Sequence, residues 1–331
     1  MKHAPLLGML ALLAGCAAPA RVEAPALAGE RVAPGVSLMR GEFVAGRQPD
    51  GNTVLVRGRD GLVVFDTGRH AGHAQRLVDA ARTARVPVVA IVNSHWHLDH
   101  VSGNAVLRDA YPHAQVYASD AIAGAMTGFL ADYRAQLQQM IDRAAGDDAG
   151  IVGWREEIAR IDNGAKLFPT HTVTAPERLS LAGRSLQLGL ERNAVSGGDV
   201  WMLDRQTGVL ASGDLVTLPA PLLDTACADG WRAALARLDA IGFTVLVPGH
   251  GAPMDHAGFR RYRVAFDNLL DCADGSASAA TCRANWRRDA GSLLAPGDTA
   301  LADSLLDYYI TQVLRAPTSR RLQYCHGGVP R

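Results

Sequence analysis

Four residues able to bind a metal fall within six positions, in the run Ser94-His95-Trp96-His97-Leu98-Asp99-His100. A fifth, Asp214, lies in Ala211-Ser212-Gly213-Asp214-Leu215, and a sixth, His250, in Val247-Pro248-Gly249-His250-Gly251. Imidazole and carboxylate at this density suit zinc or a similar transition metal. A cation that keeps one coordination position open makes water a usable nucleophile near neutral pH, so the chemistry implied is metal-assisted hydrolysis. In an extended segment side chains alternate between faces, which would put His95, His97 and Asp99 on one side. His100 breaks that alternation, so the segment has to turn at Leu98-Asp99. A turn at the end of a buried strand can aim all four groups into one cleft.

The elements that must hold these groups read as strands alternating with helices, the mark of an α/β core. Residues 36–44 and 53–57 have strand character and are joined by a turn around Pro49-Asp50-Gly51-Asn52. Leu62-Val63-Val64-Phe65 is a buried strand that ends at Asp66-Thr67-Gly68. A helical pattern over 71–85 puts Leu77, Val78 and Ala81 on one face, and the apolar strand 88–92 delivers the chain to His95. Residues 119–164 read as a long helical insert in which Phe129, Tyr133, Leu137, Met140 and Ile141 follow a helical period. Such a stripe is either core packing or a lid over the metal loop. Short strands return at 179–181, 186–190, 200–203 and 209–211, a helix at 229–241, and a strand at 244–247 that leads to His250. Beyond 256 the pattern is helical, with a polar break near 273–280.

Taken together, His95-Trp96-His97-Leu98-Asp99-His100, Phe65-Asp66-Thr67-Gly68, Gly213-Asp214 and Pro248-Gly249-His250-Gly251 resemble the motifs of the metallo-β-lactamase superfamily, in that family's order. The resemblance implies a four-layer αβ/βα sandwich with metals at one edge between two sheets. It implies that His95 and His97 hold a first metal, that Asp99, His100 and His250 hold a second, and that Asp214 bridges both. Asp66 matches a position that supports the metal loops; in the hydrolysis expected here, Asp99 orients the metal-bound hydroxide and takes part in proton transfer to the leaving group. One piece is missing, since Val195 in Val195-Ser196-Gly197-Gly198-Asp199 stands where the family places a further first-site His. His171, the only His between His100 and His250 besides His113, is a distant substitute. The resemblance thus implies one or two zinc ions, or another transition metal, with the second site the better furnished.

A bridging Asp at this place is usual in the superfamily's thioesterases, lactonases and related hydrolases, and usually lacking in its true β-lactamases. The expected reaction is therefore cleavage of a small ester, thioester or lactone. A non-catalytic protein of the same fold that binds a metal or a partner is the alternative. Net charge is zero, so no basic face for nucleic acid is implied.

The N-terminus is expected to direct export. Leu6 to Leu13 is apolar but too short to span a bilayer, and Leu13-Ala14-Gly15-Cys16 resembles a bacterial lipoprotein signal in which Cys16 becomes acylated. An ordinary signal peptide cut after Ala18-Pro19-Ala20 is the alternative and would leave a soluble periplasmic protein. With Ala17 after the Cys, the periplasmic side of the outer membrane is the expected location, the lipid anchor being the only membrane contact. The division expected is a signal peptide at 1–15, a tether at 16–35, a metallo-β-lactamase-like domain at 36–260 with the helical insert at 119–164, and a helical extension at 261–331. Export permits disulfides among Cys227, Cys272, Cys282 and Cys325. Cys272 and Cys282 flank a short polar stretch, which favours a local bridge and leaves Cys227 for Cys325; buried free thiols are the other possibility.

If the register assigned to Val195 is right, Val195→His should raise the zinc content of the purified protein towards two ions per chain. Elemental analysis showing no increase would mean that the register is misplaced.

Overall fold

The structure is a computed structural model that describes residues 26–44, 46–144 and 150–325. Cys16, the expected signal peptide and the first part of the tether lie outside the described residues.

Two sheets face one another. The first holds β1 (Glu30–Ala33), β2 (Val36–Met39), β3 (Thr53–Arg57), β4 (Leu62–Phe65), β5 (Val88–Val92), β6 (Gln115–Ala118) and β7 (His171–Thr172), side by side in chain order. It runs antiparallel up to β4 and parallel from β4 onward. The second holds β8 (Glu177–Leu181), β9 (Arg184–Glu191), β10 (Asp199–Asp204), β11 (Val209–Thr217) and β12 (Val245–His250), in the order β12-β11-β10-β9-β8, with only the β11/β12 pair parallel.

Strand alternation sorts the apolar residues into layers. Along β3 and β4, Val54, Val56, Val63 and Phe65 point inward and meet Leu186, Leu188, Val200, Met202 and Val247 of the second sheet. Leu55, Leu62 and Val64 point outward, onto Leu77 and Ala81 of α1 (Ala71–Ala84) and Leu107 of α3 (Asn104–Ala110), which follows the short α2 (Leu98–Val101). Burial on both faces is why these strands read as unbroken apolar runs. The outer face of the second sheet is covered by α7 (Ala228–Leu238) and the C-terminal helices α8 (His256–Asp274), α9 (Ala279–Ala290) and α10 (Thr299–Tyr308), through Trp231, Phe259, Phe266, Trp286 and Leu306. The result is the four-layer αβ/βα sandwich. Helix α8 crosses position 260 without interruption, so the residues beyond it are packed into the same outer layer.

The insert folds as α4 (Ala121–Thr127), α5 (Phe129–Arg143) and α6 (Gly150–Asp162). Ile122, Ala125, Leu130 and Ile161 pack on Trp96, Leu98 and Val101 of the metal loop. Disulfides join Cys272 to Cys282 and Cys227 to Cys325. The first closes the gap between α8 and α9, and the second ties the C-terminal segment to the start of α7. Strand β2 stops at Met39, short of the expected 44; Gly41 is instead held by the Asn52 side chain, 3.0 Å away. Among the described residues no helix is long and apolar enough to cross a membrane.

His73, on the buried face of α1, shares a 2.8 Å hydrogen bond between its Nε2 and Thr53 Oγ1, and its Nδ1 accepts from Arg76 at 3.1 Å. Burial pushes its imidazole down to about 4, against the pull of Asp50. The unfolded chain takes up this proton near 6.5 and the folded chain only near 4. This contribution to stability is therefore complete above that window and is lost as pH falls through it, by up to roughly 3 kcal/mol. The unfolding free energy of the wild type, compared with His73→Gln in urea, should fall by that order between about pH 7 and pH 4. A difference that stays constant with pH would refute the assignment.

Candidate metal centre

The site forms where the C-terminal ends of β4, β5, β11 and β12 meet at one edge of the sandwich. Strand β5 ends at Val92, and the chain passes through Asn93 and Ser94 before turning into α2, which contains Asp99 and His100. This is the turn that the break in alternation requires. Strand β11 carries Asp214 and β12 ends on His250. Asp99, His100, Asp214 and His250 form one cluster and His95, His97 and Asp214 a second, with the ligand atoms of each within 4.8 Å of one another. All six side chains that the sequence singles out therefore come together, and Asp214 belongs to both clusters. Its Oδ2 lies 3.8 Å from His95 Nε2, while its Oδ1 lies 3.2 Å from His100 Nε2 and 3.6 Å from His250 Nε2. Asp99 Oδ2 is 3.0 Å from His250 Nε2 and 3.4 Å from His100 Nε2.

These spacings suit a cation. Ligands at ~2.0–2.1 Å in a tetrahedron stand ~3.3 Å apart. Stronger still is what the ligand atoms lack. His95 Nε2, His100 Nε2 and both carboxylate oxygens of Asp214 are buried with no hydrogen-bond partner. Buried polar atoms are ordinarily paired, and here four unpaired ones face a common space. A metal would satisfy all four at once, so the residues present fit zinc or a similar ion.

The electrostatics agree. Burial pushes the Asp214 and Asp99 carboxyls up, but the neighbouring imidazoles outweigh it and hold both below the usual carboxylate range. Burial pushes His100 down, yet Asp214, Asp99 and Asp66 together hold it well above its ordinary value. His95 has no such surplus, and burial keeps it well below the usual range. The field at the centre of the site therefore favours positive charge.

Supporting residues fix the ring faces. Asp66 sits at the end of β4 with φ 60°, a left-handed conformation that Asp tolerates better than most residues. Its Oδ1 accepts from Ser94 N at 2.7 Å, and its Oδ2 accepts from Ser94 Oγ at 2.7 Å and pairs with His100 Nδ1 at 2.8 Å. Since the single Ser94 hydroxyl proton goes to Asp66, Ser94 Oγ accepts from His95 Nδ1, 2.9 Å away. Both His95 and His100 are thereby turned with Nε2 inward. Asn52 joins the two halves of the site, its Nδ2 donating to the carbonyls of Pro248 and Gly251 at 2.9 Å each. Two glycines clear space for ligands, because a Cβ on Gly249 would overlap Asp214 Oδ1 and one on Gly51 would meet the His100 ring.

Several of these residues escape sequence reasoning. Ser94 adjoins the His95 motif and Asn52 lies in the turn before β3, but a lone hydroxyl or amide gives no signal of its own. Thr225, whose Oγ1 lies 2.7 Å from His97 Nε2, comes from a loop 128 residues away. His171 is in neither ligand cluster; its Nε2 pairs with Glu177 at 3.0 Å. Val195 is fully buried in the core beneath α7 and supplies no atom to either cluster.

A cavity of about 280 Å³ opens beside the cluster, walled by His97, Asp99, Trp96, Phe129, Tyr133 and Arg69. The insert therefore forms both core and cavity wall, with Trp96 and Phe129 ring centres 5.5 Å apart. Arg69 is held by Glu157 of α6 at 2.6 Å, with its other arm 3.6 Å from Asp99 Oδ1.

The family profile described as metallo-beta-lactamase superfamily matches residues 46–267. The chain belongs to that superfamily. Among curated proteins it is similar to an (R)-specific secondary-alkylsulfatase of Pseudomonas sp., at 28% identity over 151 residues, covering 44% of this chain and 22% of the relative. It is also similar to a hydroxyacylglutathione hydrolase of Synechococcus sp., at 32% identity over 85 residues, covering 26% of this chain and 30% of the relative. The chain thus matches less than a third of the length of either. A metallo-beta-lactamase from Pontibacter korlensis shares the fold with TM-score 0.53 and 21% identity, over 73% of this chain and 100% of that one. The sec-alkylsulfatase Pisa1 from Pseudomonas sp. shares it with TM-score 0.51 and 19% identity, over 84% of this chain and 50% of that one.

Replacing Asp66 with Asn keeps an acceptor for Ser94 N but puts an NH2 donor where Oδ2 serves Ser94 Oγ and His100 Nδ1, and it removes the negative charge facing His100. Zinc affinity, measured by competition with a chromogenic chelator, should fall by about 10–100-fold. Wild-type affinity in Asp66→Asn would show that the carboxylate does not tune the site.

Proposed function

We propose that the protein is a metal-dependent hydrolase of a small ester, thioester or lactone, with zinc held by Asp99, His100, Asp214 and His250 and a second ion by His95, His97 and Asp214. The observation that carries this reading is the set of four unpaired, buried ligand atoms next to an open cavity. Zinc bound there would lower the pKa of water to near neutrality and polarise a carbonyl oxygen.

The chain's own residues supply the rest. Asp99 lies at the border of cluster and cavity and stays ionised at neutral pH, so it can orient a water molecule, take its proton and pass it to the leaving group. Arg69 limits the rotation of Asp99 from the side away from the imidazoles. Trp96, Phe129 and Tyr133 offer an apolar wall to the acyl or alcohol part of a substrate and exclude water from it. The names of both curated relatives describe hydrolysis, and one of them favours a second substrate reading, a secondary alkyl sulfate.

The same proposal places the protein on the periplasmic side of a bacterial outer membrane, anchored through an acylated Cys16, or soluble in the periplasm if cleavage falls after Ala20. Its two disulfides support an oxidising compartment.

Turnover of a panel of chromogenic esters, thioesters, lactones, a secondary alkyl sulfate and nitrocefin, with and without chelator, tests the activity. Zinc-dependent turnover of a carbonyl ester or thioester is expected, and Asp99→Ala should reduce it by about 10²–10⁴-fold. Full turnover in Asp99→Ala would remove Asp99 from the chemistry. Bound zinc with no turnover of any substrate would favour a protein that uses the fold only to bind.

A further inference from the structure

The first metal site lacks the His that its motif calls for, yet the residue in that position still takes part in the site through its main chain. Thr225 Oγ1 donates to the Val195 carbonyl at 3.1 Å. The same oxygen lies 2.7 Å from His97 Nε2. A threonine hydroxyl has one proton, and a carbonyl can only accept, so while Thr225 donates to Val195 its oxygen can only accept from His97. Towards His97 the hydroxyl is left as an acceptor, and Nε2 must carry the hydrogen. In a neutral imidazole the other nitrogen then bears the free lone pair. His97 therefore presents Nδ1 for a cation, whereas His95 and His100 present Nε2.

The hydroxyl is well placed to hold this arrangement. Thr225 is 1% exposed, so water does not compete for its hydrogen bonds. Its loop is tied to the Val195 loop a second time, by Cys227 N donating to Ala194 O at 2.8 Å. The Cys227–Cys325 disulfide and the 2.6 Å hydrogen bond from Tyr309 OH to Asp224 fix the loop on either side of Thr225.

Resting on the metal-centre reading above, we propose that Thr225 is a positioning residue for the first metal site, holding His97 as the Nε2–H tautomer through a relay from the Val195 carbonyl. In place of a third imidazole, the chain fixes the orientation of one of the two it retains. An imidazole free to flip would offer the wrong nitrogen part of the time and lower affinity at that site alone.

Thr225→Val removes the hydroxyl while keeping the shape, and Thr225→Ser keeps the hydroxyl. Zinc and cobalt titrations of the full chain should show Thr225→Val losing about 10–100-fold in affinity at the weaker site, the stronger site staying unchanged, and Thr225→Ser staying within a few-fold of wild type. Nitrogen NMR of the metal-free wild type should show His97 protonated at Nε2, and Thr225→Val should show a tautomer mixture. The proposal is overturned if Thr225→Val binds both ions like wild type, if both sites weaken alike, or if wild-type His97 is protonated at Nδ1. A wild type that takes up no zinc or cobalt overturns the metal-centre reading and this proposal with it, whereas a wild type that fills its sites while Thr225→Val behaves identically overturns this proposal alone.

Discussion

Asp214 is the constraint on which the rest of the site depends. A buried carboxylate with neither oxygen hydrogen-bonded is costly, because it has lost water and gained no donor. Here the cost is offset only by positive charge, from the surrounding imidazoles or from a metal. Both oxygens are used in opposite directions, one towards His95 and the other towards His100 and His250. One side chain on β11 therefore couples ligands delivered by β5 and β12. The close approach of β12 that this needs is possible because position 249 has no side chain.

Around that centre lies a ring of residues whose task is orientation. Asp66, in its left-handed conformation, ties together the backbone before the metal loop, the Ser94 hydroxyl and His100. The His100 carbonyl in turn accepts from Thr67 N at 2.8 Å, so the end of β4 and the start of α2 are locked to each other. Asn52 makes the equivalent link between β3 and the loop around His250. These bonds hold the six side chains in place without an ion, so a cation bound there would meet a low ordering cost.

The helical layers have unequal duties. Those over the first sheet and over the outer face of the second bury apolar side chains and keep the strand ends in register. The insert packs on the loop that carries His95 to His100 and also forms the cavity wall, so its sequence bears on the stability of that loop and on the shape of the cavity together. Its α6 reaches across to Arg69 through Glu157, joining the far side of the insert to the carboxylate of Asp99.

Much of this was legible in the sequence. Periodicity located β3, β4 and β5 because strands buried on both faces are continuous runs of apolar residues, and the ligand residues were visible because three imidazoles and a carboxylate crowded into one turn have few structural uses. What only the tertiary structure decided was which partners stand against each His ring. Ser94, Asn52 and Thr225 carry a single hydroxyl or amide each, and such groups acquire meaning only when folding sets them against a specific ring or carbonyl. The same holds for the insert, whose helical period marks an apolar face without saying whether that face meets core or cavity. Local chemistry is written in residue type and spacing, whereas orientation depends on contacts between segments far apart in the chain, and no local pattern encodes those.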